Sequence, residues 1–430
     1  MIDLSFQEKV RIFSHDYLRC CIYLTLMQPS RYTYTKRLYS KLISTSQLLE
    51  DFLDFHGAKN SRDWYFYREL SAAVRHLSKA CYSQKHIFNR LPFYDLKGTR
   101  EFEEEGALTH AFLYACLRRL APAILDEARR LEIPVPEDAF SVNDFPRIST
   151  KSMLDFDIDD EEKTQKSESV VKIASEFLNI ANSFEEMRFH EPLGIEQIRE
   201  MVPAKVNEVE IRRHQMVVHN LQSAFDSYVI VGGYRFGDRK LKRLRGHFSV
   251  VLHLLELAST LLHFYERHLL EGGLKNVYKK VRDRLVLLVD PEKLLDRTVN
   301  YALYNVCYFL GQGEDLAQVI LNENVQRDSI RVGIPKNLGF HCRPSLLVAK
   351  IVQHFGGQVD MIVRDLKFDA SSVLDLQWAG GMIQKENIEE VVFEGDSRAL
   401  KDLAVLARVN YGEDIIGKGI PLPEELSYLR

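Results

Sequence analysis

The stretch Asp328–Phe355, DSIRVGIPKNLGFHCRPSLLVAKIVQHF, decides how this chain is read. Ile330, Val332 and Ile334 alternate with Ser329, Arg331 and Gly333, the two-residue period of a strand with one buried face. Pro335 and Asn337 turn the chain. From Pro344 the period lengthens: Leu347, Val348, Ile351, Val352 and Phe355 fall on one side of a helix. His341 therefore stands just ahead of a helix whose first turn is marked by proline. A helix start leaves backbone N–H groups without partners and carries partial positive charge, so it favours an anion. Pro344 lacks an N–H, but at that position the donor would be unpaired anyway. Arg343 can add a charge-assisted hydrogen bond to the same anion. A neutral imidazole is nucleophilic near neutral pH and can act as a covalent relay. By itself, a histidine at a helix start serves equally well as a cap or a packing residue.

Working outward, Val359, Met361 and Val363 alternate again, and Leu366 and Phe368 mark a further short strand. Ser372 to Trp378 reads as a short helix and Glu390 to Phe393 as a fourth strand, closed by a Glu394-Gly395-Asp396 turn. Leu400, Leu403, Ala404 and Ala407 line a last helix. The order β-α-β-β-α-β-α predicts an α+β domain: a four-stranded antiparallel sheet with three helices on one face.

Three strings in this segment resemble HPr, the phosphocarrier of the bacterial phosphoenolpyruvate-dependent sugar phosphotransferase system. The family's Gly-Leu-His-Ala-Arg-Pro-Ala string stands here as Gly339-Phe340-His341-Cys342-Arg343-Pro344-Ser345. Its Asp-Ala-Lys-Ser-Ile string reads Asp369-Ala370-Ser371-Ser372-Val373, and its Glu-Gly-Asp string is Glu394-Gly395-Asp396. The resemblance implies that His341 takes a phosphoryl group on Nδ1 from an Enzyme I-type donor and relays it to an acceptor protein. It implies that Arg343 and the backbone of Cys342 and Arg343 steady the phosphate, and that Ser372 matches a regulatory serine. It also implies that Val373, Leu374 and Trp378 form a docking patch. Phe340, Cys342 and Ser345 depart from the family string in sizes the loop can hold, with Cys342 expected as a small buried filler. Asp375 replaces a glycine beside the docking patch, and its charge disfavours acidic partners. The competing expectation is an HPr-fold binding or scaffold module that reports phosphotransfer status without relaying phosphate.

Upstream, residues 1–325 read almost entirely as helix. Helices are expected near 5–28, 33–56, 61–90, 100–132, 168–188, 193–230, 238–271, 274–286 and 290–311, with a short one before 325. The expected division is a helical region at 1–150, an acidic linker at 151–167, a helical bundle at 168–325, the HPr-like domain at 326–411 and a tail at 412–430 that packs or frays. The whole is mainly α, and the large helical region reads as an accessory that positions or regulates the C-terminal domain, or as a signalling scaffold.

The apolar stretch Phe248–Phe264, interrupted by His253, Glu256 and His263, reads as a buried core helix, too short and too polar to span a bilayer. A net charge of −4 gives no general attraction to nucleic acid, and the basic run Arg239, Lys240, Lys242, Arg243, Arg245 reads as a solvated helix start or a partner for the acids at 155–162. Six scattered cysteines without a CxxC pair and an N-terminus without an apolar leader fit a reducing cytoplasm. Asp155, Asp157 and Asp159 lack the glycine and the closing glutamate of a calcium loop. His253 with Glu256, and His263 with Glu266, have the reverse order of a Glu-x-x-His metal motif. No metal or cofactor is therefore expected.

Overall fold

A computed structural model describes every residue except 1–3, 31, 148–166, 186, 188, 228–238, 271–275, 325, 357–358, 415 and 430. The acidic run at 155–162 and the paired glycines at 232–233 and 272–273 lie outside the described residues. The chain is mainly helical and carries one small four-stranded antiparallel sheet. It divides into two compact units that interleave along the sequence, where the sequence reading divides it consecutively. The first comprises Met1–Asp159, Phe184–Gln222 and Lys242–Gln312, and the second Asp160–Ser183, Ser223–Leu241 and Gly313–Arg430.

The helices are α1 (Phe6–Leu26), α2 (Lys36–Phe55), α3 (Tyr65–Arg90), α4 (Arg100–Arg130), α5 (Ser167–Glu185), α6 (Ile195–Met201), α7 (Glu208–Phe225), α8 (Arg239–Phe264), α9 (Asn276–Leu288), α10 (Pro291–Asp296) and α11 (Tyr304–Asn324). In the first unit α3 packs against α2, α4 and α9. It is buried nearly along its whole length, including charged Arg68 and Glu69. Arg68 is satisfied there by Glu50, Asp54 and Glu69 at 2.8–2.9 Å, the condition under which a buried guanidinium is tolerated.

Two expected helices come out differently. The single helix at 193–230 is α6 and α7, because Pro203 has no N–H with which to continue the ladder. The stop expected at 311 is absent: α10 runs through a π-helical segment, Arg297–Leu303, into α11, which carries Gly311 and Gly313 in its interior. The helix expected at 238–271 forms, and it is not too short to span a bilayer. With the π-helical segment Tyr265–Leu269 it spans 31 residues, with mean hydropathy 1.4 over its best window, which is enough by length and composition to cross a membrane. Burial of 78% of that window matches the core-helix reading, which length alone does not decide.

The second unit holds the sheet: β1 (Arg327–Gly333), β2 (Val359–Val363), β3 (Leu366–Asp369) and β4 (Glu390–Asp396), in the order β1-β4-β2-β3, all antiparallel. Between them lie α12 (Cys342–His354), α13 (Val373–Glu386) and, after β4, α14 (Ser397–Arg408). Register sets Ile330, Phe393, Met361 and Phe368 in one row across the sheet, and Phe393 and Met361 are fully buried. The neighbouring row, which includes Arg331 and Lys367, points to the other face. The Glu394-Gly395-Asp396 string is the end of β4, not a turn beyond it: Asp396 pairs with Arg327 and caps α14 through Arg398 N–H.

Helix α13 runs twice as far as expected, to a cap at Asn387 in the left-handed region (φ 51°). Gly380, inside this helix, is a packing notch. A Cβ on Gly380 would stand 2.8 Å from the Phe340 carbonyl oxygen, a backbone atom that cannot step aside. Gly380→Ala is therefore expected to destabilise the second unit by about 1–3 kcal/mol, the range for overpacking. Amide hydrogen exchange in β2 and β4 should accelerate accordingly. Unchanged protection would show that the loop yields.

Candidate functional site

His341 is the N-cap residue of α12, with extended backbone (φ −82°, ψ −168°). Its carbonyl accepts the first helical hydrogen bond, from Ser345 N–H at 3.1 Å. No side chain caps this helix start. Among the described residues, the N–H groups of Cys342 and Arg343 have no acceptor and remain available to an anion. The approach is tight: Leu338 and Gly339 are both left-handed, with φ 56° and 63°. Ser345, buried one turn on, sends its hydroxyl back to the Phe340 carbonyl at 3.0 Å and ties the loop to the helix. Phe340 packs edge-on against Phe393 and Tyr411. These contacts explain why Phe340 and Ser345 fit the loop where the family string has Leu and Ala.

Sequence reasoning missed Glu413. Its Oε2 lies 3.0 Å from His341 Nε2, and its side chain is 1% exposed against 31% for the histidine. Its Oε1 is buried without a partner. A carboxylate accepts only, so this hydrogen bond assigns the ring proton to Nε2 and leaves the lone pair on Nδ1. Among the described residues Nδ1 makes no hydrogen bond. The result is an imidazole with a fixed tautomer and an unpaired Nδ1 beside a helix start. No signal in the sequence marks Glu413, which stands 72 positions from His341 in the tail.

That tail packs and does not fray. Residues 412–420 form a loop closed by Ile420 N–H to Gly412 O and a Glu413–Gly419 bridge. Asp414 Oδ1 accepts from Ile416 and Lys418 N–H. A Cβ on Gly419 would run into the Arg343 guanidinium and one on Gly417 into the Asn337 amide, so neither could carry a side chain without displacing them. Arg343 forms no ion pair among the described residues, and it is exposed. Cys342 is exposed too, which corrects the expectation of a buried filler: as the first residue of α12 its side chain leaves the core to Pro344 and Ser345.

Ser372 is the N-cap of α13, its hydroxyl accepting from Asp375 N–H at 3.2 Å. Of the three residues expected to form a docking patch, Leu374 and Trp378 are 76% and 73% exposed, one turn apart on α13. Val373 is half-buried against the core and presents less surface than the sequence suggested. His354, on the same helix as the capping His341, is stacked on Tyr428, and burial pushes its pKa below the ordinary imidazole value.

Elsewhere, His253 Nδ1 meets Glu256 at 2.7 Å, an internal pair. His263 finds Glu208 at 2.8 Å in place of Glu266. Lys240 of the basic run pairs with Glu323. The chain matches no family model, no curated protein and no solved structure.

Proposed function

We propose that this chain is a phosphohistidine carrier of the HPr type, taking a phosphoryl group on His341 Nδ1 from an Enzyme I-type donor and relaying it to an acceptor protein. The observation that carries the reading is the His341–Glu413 pair at the open start of α12. It is supported by the three HPr-like strings falling, in order, on the loop before α12, the start of α13 and the end of β4. In the transfer, the Nδ1 lone pair attacks phosphorus, a P–Nδ1 bond forms and the donor's bond to phosphorus breaks. The imidazole becomes cationic, and Glu413 faces the charge that develops on Nε2–H. Cys342 and Arg343 N–H and the Arg343 guanidinium meet the phosphoryl oxygens. Reversal on the acceptor returns the ring to its neutral tautomer.

The test uses two donors. Phosphoramidate, a small donor that needs no docking surface, probes the histidine alone; Enzyme I with phosphoenolpyruvate probes docking as well. One acid-labile, alkali-stable equivalent on the peptide containing His341 is expected from both. Absence of label from both would refute the carrier. Label from phosphoramidate alone would favour the second reading, a module that binds partners without relaying phosphate, for which exposed Leu374 and Trp378 beside Asp375 are the supporting observation.

Ser372 gives a further prediction. A phosphate there would keep a helix-start position and be tolerated locally, while adding negative charge beside the Leu374–Trp378 surface. Ser372→Asp is expected to slow transfer from Enzyme I several-fold and to leave labelling by phosphoramidate unchanged. Equal rates from Enzyme I would remove any regulatory role from this serine and leave it as a cap.

A further inference from the structure

The first unit contains a second histidine constellation. His76 of α3 stacks on His263 of α8 with ring centroids 4.5 Å apart, and His268 of the π-helical segment lies 5.7 and 6.0 Å from them. One ring nitrogen from each lies within 4.8 Å of the others. Three imidazoles on one tetrahedral zinc, with Zn–N of about 2.0–2.1 Å, have centroids about 5 Å apart and nitrogens about 3.3 Å apart. The ring centroids lie within about 1 Å of that spacing, and the nitrogens, within 4.8 Å of one another, have to close by up to about 1.5 Å around an ion.

We propose that His76, His263 and His268 form a binding site for a divalent transition metal ion of the zinc class, with Glu69 and Glu208 orienting two of the ligands. This inference is independent of the phosphocarrier reading. Glu69 Oε2 is 2.7 Å from His268 Nδ1 and is itself buried, its other oxygen held by Arg68 at 2.8 Å. Glu208 Oε2 is 2.8 Å from His263 Nδ1, off the best hydrogen-bonding line. Both rings therefore keep Nε2 for a metal, the carboxylate–histidine grammar of zinc sites. His76 offers Nδ1, which is buried and without a partner. Its Nε2 accepts from Arg75 Nη2 at 3.1 Å, so metal on Nδ1 moves the ring proton to Nε2. Arg75 then gives up that contact and keeps its hydrogen bond and its ion-pair contact with Glu50.

The backbone is built for this convergence. His263 and His268 are five residues apart, about 140° around an α-helix and so on different faces. The π-helical turn, closed by Leu270 N–H to Tyr265 O at 2.7 Å, brings positions five apart onto one side. A cavity of about 500 Å³ opens onto His263 and His268 and supplies both access and a fourth coordination position. An all-imidazole set with no thiolate selects borderline ions over calcium or magnesium.

The test takes the full-length protein, stripped by a chelator, and titrates zinc against a chromophoric competitor. One equivalent is expected. His263→Ala and His268→Ala should each weaken binding more than tenfold, and Glu69→Gln about 10- to 100-fold. His214→Ala, His253→Ala and His341→Ala should bind as wild type. X-ray absorption of the zinc-loaded wild type needs no variant to fold, and it should read three imidazoles. Failure of the wild type to take up zinc, wild-type affinity in both His263→Ala and His268→Ala, or a shell of thiolate or carboxylate alone would overturn the assignment.

Discussion

His341→Ala is expected to accept no phosphoryl group, and Glu413→Gln to accept it about 10- to 100-fold more slowly, the usual cost of losing a carboxylate that orients an imidazole. The two variants separate the nucleophile from the group that prepares it. Glutamine has the shape of glutamate but no charge. It can turn either its oxygen or its amide toward Nε2, so it neither enforces the tautomer nor balances the cation that forms. Burial makes the interaction strong: Glu413 is 1% exposed, and its second oxygen has no partner. Glutamine keeps the size of glutamate and leaves one amide group at the same unpaired position, so Glu413→Gln should leave the fold in place while slowing the chemistry. The readout is the rate of label incorporation from phosphoramidate, with circular dichroism confirming the fold. His354, the other histidine of α12, serves as the internal control. A full equivalent on His341→Ala would move the site elsewhere. An unchanged rate in Glu413→Gln would reduce the pair to packing.

A fragment of residues 326–430 is expected to fold cooperatively, and one ending at residue 411 to be largely unfolded. The sequence reading ends the domain at 411 and treats the rest as a tail. The hydrophobic core of the domain runs from Phe340 to Leu429 and includes Leu426 and Leu429, 0% and 6% exposed. Losing both leucines costs about 3–6 kcal/mol. A domain of this size has on the order of 5–10 kcal/mol in total. The truncation also exposes Tyr411, on which Phe340 packs, removes the stacking of His354 on Tyr428 and cuts the bond from Tyr428 to Asp402. Thermal or urea unfolding of the two fragments decides the matter. Cooperative unfolding of both at similar midpoints would mean that the tail is dispensable. Loss of folding in both would mean that the neighbouring helical segments of the second unit, such as α5 and the end of α11, are needed. One contact points that way: a Cβ on Gly356 would meet the Leu321 side chain at 2.9 Å.

Much of the fold was legible because it rests on local rules. Alternation at Ile330 and Val332, and again at Val359, Met361 and Val363, named the strands. Helical spacing from Leu347 to Phe355 named α12, and His341 ahead of Pro344 named the helix start. Errors came where one residue type has two uses. The helix expected to end at Trp378 runs on through Gly380, whose missing Cβ leaves room for the Phe340 backbone. The helix expected to end at 311 runs on to Asn324 with Gly311 and Gly313 inside it. The helix expected over 193–230 breaks at Pro203.

The sequence by itself determined the elements, the sheet's inward row and the position of His341 at a helix start, because hydrophobic period and capping chemistry act over a few residues. Only the tertiary structure decided what faces that histidine. Glu413 reaches it from a loop closed by the Glu413–Gly419 bridge and the Ile420 N–H to Gly412 O bond, and no periodicity encodes a contact across 72 positions. The same holds for His76, His263 and His268. Two of them share a face only because the helix widens to a π-turn, and the third comes from a helix almost two hundred positions earlier, brought there by burial of α3.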